Sequence, residues 1–166
     1  MSRVAISMAD FEGFASPLVG LPVSHIWQGY GSTIFLEFGI LMPGRRRRRD
    51  GSLGNPCGEF TLIIESWRIE GKRRIWCGSS SDAERWPRAF LRLQDATVTA
   101  VSVVGRLPEI DIALGSGLHV VSCITTEGDP EWGLIKRQGG QTLSVGSLAG
   151  RLMLESKSPE DRQPHA

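Results

Sequence analysis

Residues 109–124 read EIDIALGSGLHVVSCI and carry the clearest secondary-structure pattern in the chain. Acidic and aliphatic side chains alternate in the first six residues, so Ile110, Ile112 and Leu114 would share one face of a strand. The tripeptide GSG at 115–117 supplies the positive φ angles that a tight hairpin turn requires. One polar face and one apolar face are typical of antiparallel sheets, so the stretch predicts two antiparallel strands joined by a short turn.

Similar strand patterns recur along most of the chain. Most connections between them are short turns rich in glycine, whereas a parallel sheet needs helical crossovers of about a dozen residues between its strands. We therefore predict an all-β fold, a single antiparallel β-sandwich or partly open β-barrel of about ten strands. The other predicted strands lie near residues 23–28, 32–38, 58–65, 73–77, 97–104, 131–136, 141–145 and 150–155, and the β-favouring Trp67 and Ile69 follow the 58–65 strand.

Only one segment predicts a helix. Ser81 and Glu84 have the spacing of a helix capping box, and Pro87 soon interrupts the helical pattern. We therefore expect at most one short helix, near residues 81–92.

The chain is predicted to form one domain with two similar halves. Aligning Leu18 with Leu93 also pairs Val23 with Val98, and Trp76 then falls near Trp132. The predicted organisation is a lead-in at 1–17, an all-β domain at 18–155 with halves 18–78 and 93–155, and a polar tail at 156–166. Residues 79–92 would link the halves.

The hydrophobic core is predicted from the apolar faces of the strands. Eleven positions should line it: Ile34, Leu36, Phe38, Leu62, Ile64, Ile110, Ile112, Leu114, Val120, Ile124 and Leu134.

Composition places the chain among soluble proteins. The 166 residues include 19 Lys and Arg and 18 Asp and Glu, for a net charge of +1. Cys57, Cys77 and Cys123 show no CxxC spacing, so we predict reduced thiols in a cytoplasmic protein rather than a disulfide framework or a zinc ribbon. No run approaches the roughly 18 apolar residues of a membrane span, and the first 20 residues contain Asp10 and Glu12 and no apolar run of signal length, so we expect a soluble protein.

Residues 39–51 read GILMPGRRRRRDG and place five arginines in a long connection between two strands. Loops of this length are uncommon and tend to be functional or mobile. A solvated tip, a phosphate contact and a contact with an acidic protein surface are the alternatives. The flanking residues are aliphatic rather than aromatic, which disfavours nucleic acid. The predicted partner-binding residues are Arg45, Arg46, Arg47, Arg48 and Arg49.

No local pattern predicts catalysis, a metal site or a cofactor. His119 and Cys123 are four residues apart, which on a strand separates them by roughly 13 Å, too far to share a zinc ion. Glu109 and Asp111 share a strand face at roughly 7 Å, but outward acids on an amphipathic strand have the same spacing. The alternative is a hydrolase-type pocket that combines a histidine or cysteine with a distant carboxylate.

Three segments resemble a family of small bacterial all-β proteins without assigned activity. They are LVGLPVSHIWQGYGSTIFLEFG at 18–39, GEFTLIIESWRIE at 58–70 and GDPEWGLIKRQGGQTLSVGSLAGRLMLES at 128–156. EWGLI at 131–135 followed by GGQTLSV at 139–145 is similar to the final hairpins of immunity proteins that neutralise bacterial toxins. The second resemblance implies a partner-binding role.

These observations together predict a non-enzymatic, cytoplasmic, protein-binding module whose partner is another protein, engaged through the arginine loop. Weak polyanion or nucleic-acid binding through the same arginines is the alternative partner. An open sheet edge would also favour a homodimer formed by strand pairing.

Overall fold

The protein is described by a computed structural model that covers residues 2–44, 46–127 and 132–157. Within these residues twelve strands and two α-helices form, together with short 3-10 turns at Ser16–Leu18 and Ala83–Arg85. The helices are α1 (Met8–Ala15) and α2 (Trp86–Leu93). The strands are β1 (Ser2–Ala5), β2 (Val23–Gln28), β3 (Ile34–Phe38), β4 (Phe60–Ile64), β5 (Trp67–Glu70), β6 (Ile75–Gly78), β7 (Val98–Val104), β8 (Glu109–Leu114), β9 (His119–Ser122), β10 (Trp132–Gln138), β11 (Gln141–Leu148) and β12 (Arg151–Lys157).

The strands form two antiparallel sheets. The larger sheet has the order β1-β12-β11-β10-β4-β3-β2, and the smaller has the order β6-β5-β9-β8-β7. Neither sheet closes on itself, and one hydrophobic cluster draws residues from both. The predicted all-β antiparallel fold is confirmed. The structure is a β-sandwich rather than a β-barrel.

The core consists of the residues that strand alternation selects. Ten of the eleven predicted positions are buried, and Ile124 is partly buried against the same cluster. Among side chains less than 2% exposed, the largest that the strand pattern did not assign to this core are Trp67, Trp132 and Phe11.

The helices differ from the sequence prediction. A capping box does occur, but it joins Ser7 to Asp10 and begins α1, within the segment predicted as a lead-in. The Ser81 side chain instead accepts a hydrogen bond from the Gly78 backbone N–H, and α2 begins at Trp86 with a proline in its first turn. Proline is tolerated there because the first N–H groups of a helix have no intrahelical partner. β1 also pairs with β12, so the first residues belong to the sandwich.

The two halves of the chain follow the same path. β2, β3 and β4 form a meander in the larger sheet, and the chain then crosses to the smaller sheet as β5. β7, β8 and β9 form the equivalent meander in the smaller sheet, and the chain crosses back as β10. β5 pairs with β9 and β10 pairs with β4, so the first half adds β5 and β6 to the smaller sheet and the second half adds β10, β11 and β12 to the larger sheet.

Backbone hydrogen bonds between the halves are reciprocal. The Val23 N–H donates to the Ala96 carbonyl at 2.9 Å, and the Val98 N–H donates to the Leu21 carbonyl at 2.9 Å. Both β2 and β7 carry a register shift just after these valines. The start of β2 and the start of β7 therefore have matching backbone bonds.

The tryptophans that correspond in the two halves are Trp67 and Trp132. The Trp67 Nε1–H donates to the Ser32 carbonyl at 2.8 Å, and the Trp132 Nε1–H donates to the Pro108 carbonyl at 2.9 Å. The sequence alignment places Trp76 opposite Trp132, and this match is wrong because β10 corresponds to β5 and Trp76 lies on β6.

The halves differ most between the second and third strands of each meander. The β8–β9 connection is a tight turn, whereas the β3–β4 connection runs from residue 39 to residue 59 and contains the arginines.

Among the described residues, no helix combines the length and the apolar character needed to cross a membrane.

Two buried tryptophans should differ in their contribution to stability. Trp86 Nε1 is buried without a hydrogen-bond partner among the described residues, whereas Trp132 Nε1 bonds the Pro108 carbonyl. Trp132→Phe leaves that buried carbonyl unpaired, and Trp86→Phe breaks no hydrogen bond. We expect Trp132→Phe to lower the free energy of unfolding by about 1–3 kcal/mol more than Trp86→Phe does, measured by urea unfolding. Equal losses in the two variants would contradict this.

Candidate functional site

Residues 40–59 form an irregular hairpin between β3 and β4, here called the arginine hairpin. Met42 and Cys57 exchange two backbone hydrogen bonds, at 2.8 and 2.9 Å. Farther out, the Gly54 N–H donates to the Arg46 carbonyl at 2.8 Å, and Arg47 forms an isolated bridge with Leu53. The long connection predicted from the sequence therefore has a defined backbone, which projects its arginines from one end of the larger sheet.

A side-chain turn closes the tip of the hairpin. The Asp50 carboxylate accepts hydrogen bonds from the Ser52 N–H at 2.9 Å and the Ser52 hydroxyl at 2.6 Å. These bonds lower the pKa of Asp50 below its ordinary value, the hydroxyl contributing most. Because the folded-state pKa is lowered, the bonds are fully present at neutral pH and are lost as acid protonates Asp50.

Four of the five predicted arginines lie at this tip. Arg46, Arg47, Arg48 and Arg49 are all exposed, and Arg45 lies outside the described residues. The Arg47 Nη1 donates to the Gly51 carbonyl at 2.9 Å. Within the described residues none of these four guanidinium groups forms an ion pair, so their charge faces solvent.

The stem of the hairpin exposes aliphatic side chains. The exposed fractions are 75% for Ile40, 38% for Leu41, 48% for Met42 and 50% for Leu53. Single exposed hydrophobic residues are common on protein surfaces, but a group of four on one short hairpin is typical of a binding surface. The arginine hairpin therefore combines a cationic tip with an apolar stem.

The two arms of the hairpin approach closely at Gly44. A Cβ atom built on Gly44 would lie 2.5 Å from the Gly54 carbonyl oxygen and 2.7 Å from that of Asn55. Any side chain at this position would force the arms apart, so glycine is required for the observed shape.

A buried polar network fixes the base of the hairpin. Glu37, on β3, is 1% exposed, and its Oε2 accepts hydrogen bonds from the Gly58 N–H at 2.9 Å and from the Thr61 hydroxyl. Its Oε1 accepts from the Trp27 Nε1–H at 3.2 Å. The Arg137 Nη1 donates to the Thr61 Oγ1 at 2.6 Å and to the Gly58 carbonyl at 3.1 Å. The Thr61 hydroxyl thus lies between the guanidinium and the carboxyl group.

Further contacts tie both arms to the sheet. The Glu59 Oε2 accepts from the Ile40 N–H at 2.9 Å, and the Glu59 carbonyl accepts from the Arg137 N–H at 2.9 Å. His25 Nε2 lies 3.2 Å from Asn55 Oδ1. Strands β2, β3 and β10 therefore all contribute to the position of the hairpin.

No pattern in the sequence predicts this network as a whole. Its one local indication is Glu37, a carboxyl group in the otherwise apolar strand IFLEF. A buried acid that interrupts such a strand needs hydrogen-bond donors, but the donors lie as far along the chain as Arg137.

The histidine and cysteine considered for catalysis lie at the other sheet. His119 Nδ1 is 2.8 Å from Asp111 Oδ1, and the Cys123 Sγ accepts a hydrogen bond from the Arg68 Nη1 at 2.9 Å. Burial raises the pKa of Cys123, and this outweighs the opposing effect of Arg68. A protonated thiol is a poor nucleophile. Neither side chain lines the cavity beside Arg3 and Trp132 or the cavity beside Lys136 and Leu143.

The two carboxylates that share a face of β8 already have partners. The Glu109 carboxylate accepts from the Ser122 hydroxyl and from the Ile124 N–H at 2.7 Å, and Asp111 lies against His119. In the described part of the chain, no three His, Cys, Asp or Glu side chains lie close enough together to hold a metal ion.

Comparisons with known proteins return no match: no protein-family model, no curated protein and no solved structure is similar to this chain. The resemblances drawn from residues 18–156 therefore stay hypotheses.

The Glu37 network should control the order of the hairpin base. Glu37→Gln replaces one acceptor oxygen by an amide donor, so either the Gly58 N–H and Thr61 hydroxyl or the Trp27 N–H loses its acceptor. We expect the free energy of unfolding to fall by about 1–3 kcal/mol. We also expect faster amide hydrogen exchange at Gly58 and Ile40.

Glu155→Gln is the matched control, because it breaks the ion pair between Glu155 and the exposed Arg3 on the same sheet. Such a pair contributes at most about 1 kcal/mol. Unchanged exchange at Gly58 in Glu37→Gln would show that the network does not hold the hairpin.

Proposed function

We propose that the protein is a non-enzymatic binding module that engages another protein through the arginine hairpin. The observation that carries this proposal is the exposure of four aliphatic side chains in the stem directly beside the arginine tip. The partner surface that fits this arrangement is an apolar patch with acidic residues at its rim.

The apolar stem would supply most of the binding free energy. Interface energy is concentrated in a few well-packed, desolvated side chains, and the charged rim contributes less. Ile40 and Leu53 are at least half exposed, so a partner can bury a large part of each side chain. At about 25 cal/mol per Å² of buried apolar surface, burying a few such side chains provides several kcal/mol before the costs of association.

The arginine tip would act mainly on the rate of association. Four described guanidinium groups without a carboxylate partner produce a local positive potential, although the net charge of the chain is only +1. Such a potential steers an acidic partner during diffusion, and salt screens it over a Debye length of about 8 Å at 0.15 M ionic strength. The arginine side chain also forms bidentate contacts with carboxylates.

The anchored backbone makes the hairpin a suitable recognition element. A loop that is ordered before binding loses less conformational entropy when the complex forms. The Glu37 network, the Glu59 contact with Ile40 and the close approach at Gly44 all restrict the arms. The same separation of a stable scaffold from a recognition loop occurs in other β-sandwiches.

The stem also favours a protein over nucleic acid as the partner of this hairpin. Nonspecific nucleic-acid sites combine basic residues with aromatic side chains for base stacking. In the described part of residues 40–59, the side chains next to the arginines are aliphatic, and no aromatic residue occurs in that stretch of sequence.

Replacing Arg45, Arg46, Arg47, Arg48 and Arg49 by serine should slow binding without unfolding the sandwich. Partners captured by the parent from a native lysate are purified, and association is measured by surface plasmon resonance. We expect association to slow by roughly tenfold or more at low salt and to lose its salt dependence. If the variant binds each partner as fast as the parent does, the arginines form only a solvated tip.

The stem has its own test. Ile40→Ser combined with Leu53→Ser should raise the dissociation rate with little effect on association, because the lost contacts form only in the bound state. Leu107→Ser is the matched control, since Leu107 is 58% exposed and lies outside the hairpin. Equal effects of the stem and control variants would exclude the hairpin as the interface.

A further inference from the structure

A second basic surface lies away from the arginine hairpin. Residues 71–93 contain six basic and two acidic side chains, an excess of four positive charges in a chain whose net charge is +1. All six basic residues are exposed. They are Lys72, Arg73, Arg74, Arg85, Arg88 and Arg92 and are here called the α2 basic face.

Helix geometry places three of these arginines in one row. Arg85, at the N-cap of α2, Arg88 and Arg92 follow an i, i+3, i+7 spacing, so they share one side of the helix. The buried side of α2 is formed by other residues, Trp86, Ala89 and Leu93. At 1.5 Å per residue the row is about 10 Å long.

Trp76 joins this row to the β5–β6 turn. The Arg92 guanidinium carbon lies 3.9 Å from the centroid of the Trp76 ring, and that of Arg74 lies 3.7 Å from the same centroid. A Cβ atom on Gly71 would collide with the indole nitrogen, so the ring packs directly against the turn backbone. Cation–π attraction thus holds two guanidinium groups at one indole.

None of the six cations has an acidic partner among the described residues. The ion pairs found there are Arg3–Glu155, Arg68–Glu70 and His119–Asp111. Like charges that lie close together, as those of Arg74 and Arg92 do at Trp76, repel one another, and a bound anion relieves that repulsion. The guanidinium groups stacked on Trp76 keep the N–H donors at their edges available for such an anion.

We propose that the α2 basic face binds the sugar-phosphate backbone of a nucleic acid without reading its bases. Arginine presents a planar fork of donors that matches phosphate oxygens, and five of the six cations are arginines. The Cβ atoms of neighbouring arginines in the row are about 5–6 Å apart, a spacing suited to successive phosphates. The Trp76 ring already carries two guanidinium groups, which leaves it unsuited to base stacking.

The composition of this face differs from that of the arginine hairpin. Here six cations accompany two exposed aliphatic side chains, Ile75 and Leu91, whereas the hairpin stem exposes four aliphatic side chains. A surface dominated by unpaired cations suits a ligand bound through charge, and phosphate contacts supply most of nonspecific nucleic-acid affinity. The proposal does not depend on the hairpin.

The test is fluorescence anisotropy with a labelled single-stranded oligonucleotide, as DNA and as RNA, and with a duplex, over a range of salt concentrations. The variant Arg85→Gln/Arg88→Gln/Arg92→Gln should weaken binding at least tenfold. It should also reduce the slope of log K against log salt by about two to three, because about 0.7–0.9 counterions are released per phosphate contact. Arg46→Gln/Arg48→Gln/Arg49→Gln removes the same charge from the hairpin and should change affinity less than threefold.

A second variant distinguishes a loss of binding from a loss of folding. Arg85→Gln/Arg88→Gln leaves the Trp76 contacts with Arg74 and Arg92 intact and should still weaken binding several-fold, with an unchanged melting temperature. The proposal is overturned if the parent does not bind any of the oligonucleotides, or if the α2 and hairpin variants lose affinity equally. It is also overturned if poly-glutamate of equal charge competes as well as nucleic acid does, which would assign the face to an acidic protein.

Discussion

The exchange of strands between the two halves is the constraint on which the rest of the structure depends. β5 leaves the first meander to pair with β9, and β10 leaves the second meander to pair with β4. Without the other half, each meander would lack its fourth strand and would expose the apolar face that the opposite sheet covers. The halves are also tied by the reciprocal bonds of Val23 and Val98. Folding of one half is therefore coupled to folding of the other, and the core forms as a unit.

The connection between β3 and β4 can be long because the pairing of these strands does not depend on its length. Where β8 and β9 are joined by a tight turn, β3 and β4 are joined by residues 39–59, and the register of the β3–β4 pair is unaffected. The residues that hold the long connection in place have no equivalent in the second half of the chain. Glu37 pairs across the sheet with Thr61, while the corresponding pair in the second half is Ala113 and His119. One half thus has a polar network at the position where the other has a small side chain.

Sequence periodicity was sufficient for most strands and most of the core, but not for β1 or for the surfaces. Alternation selects Ile110, Ile112 and Leu114 because burial of one strand face repeats every second residue. Helix α1 was missed although Ser7 and Asp10 have capping-box spacing, because the segment is short and contains a glycine. The tryptophans were matched wrongly because connection lengths differ between the halves. The α2 basic face was missed because its arginines come from a turn and a helix that meet only at Trp76.

A net charge near zero conceals how the charges are distributed. Many acidic side chains accept hydrogen bonds within their own element or across the sheets, as Glu37, Glu59, Glu109 and Asp111 do. Most arginines of the hairpin and of the α2 basic face have no such partner, so acids and bases are separated in space rather than paired. Local potential, not total charge, determines which ligands approach a surface. The +1 total is therefore a weak constraint on polyanion binding, because it averages over groups whose charges act in different places.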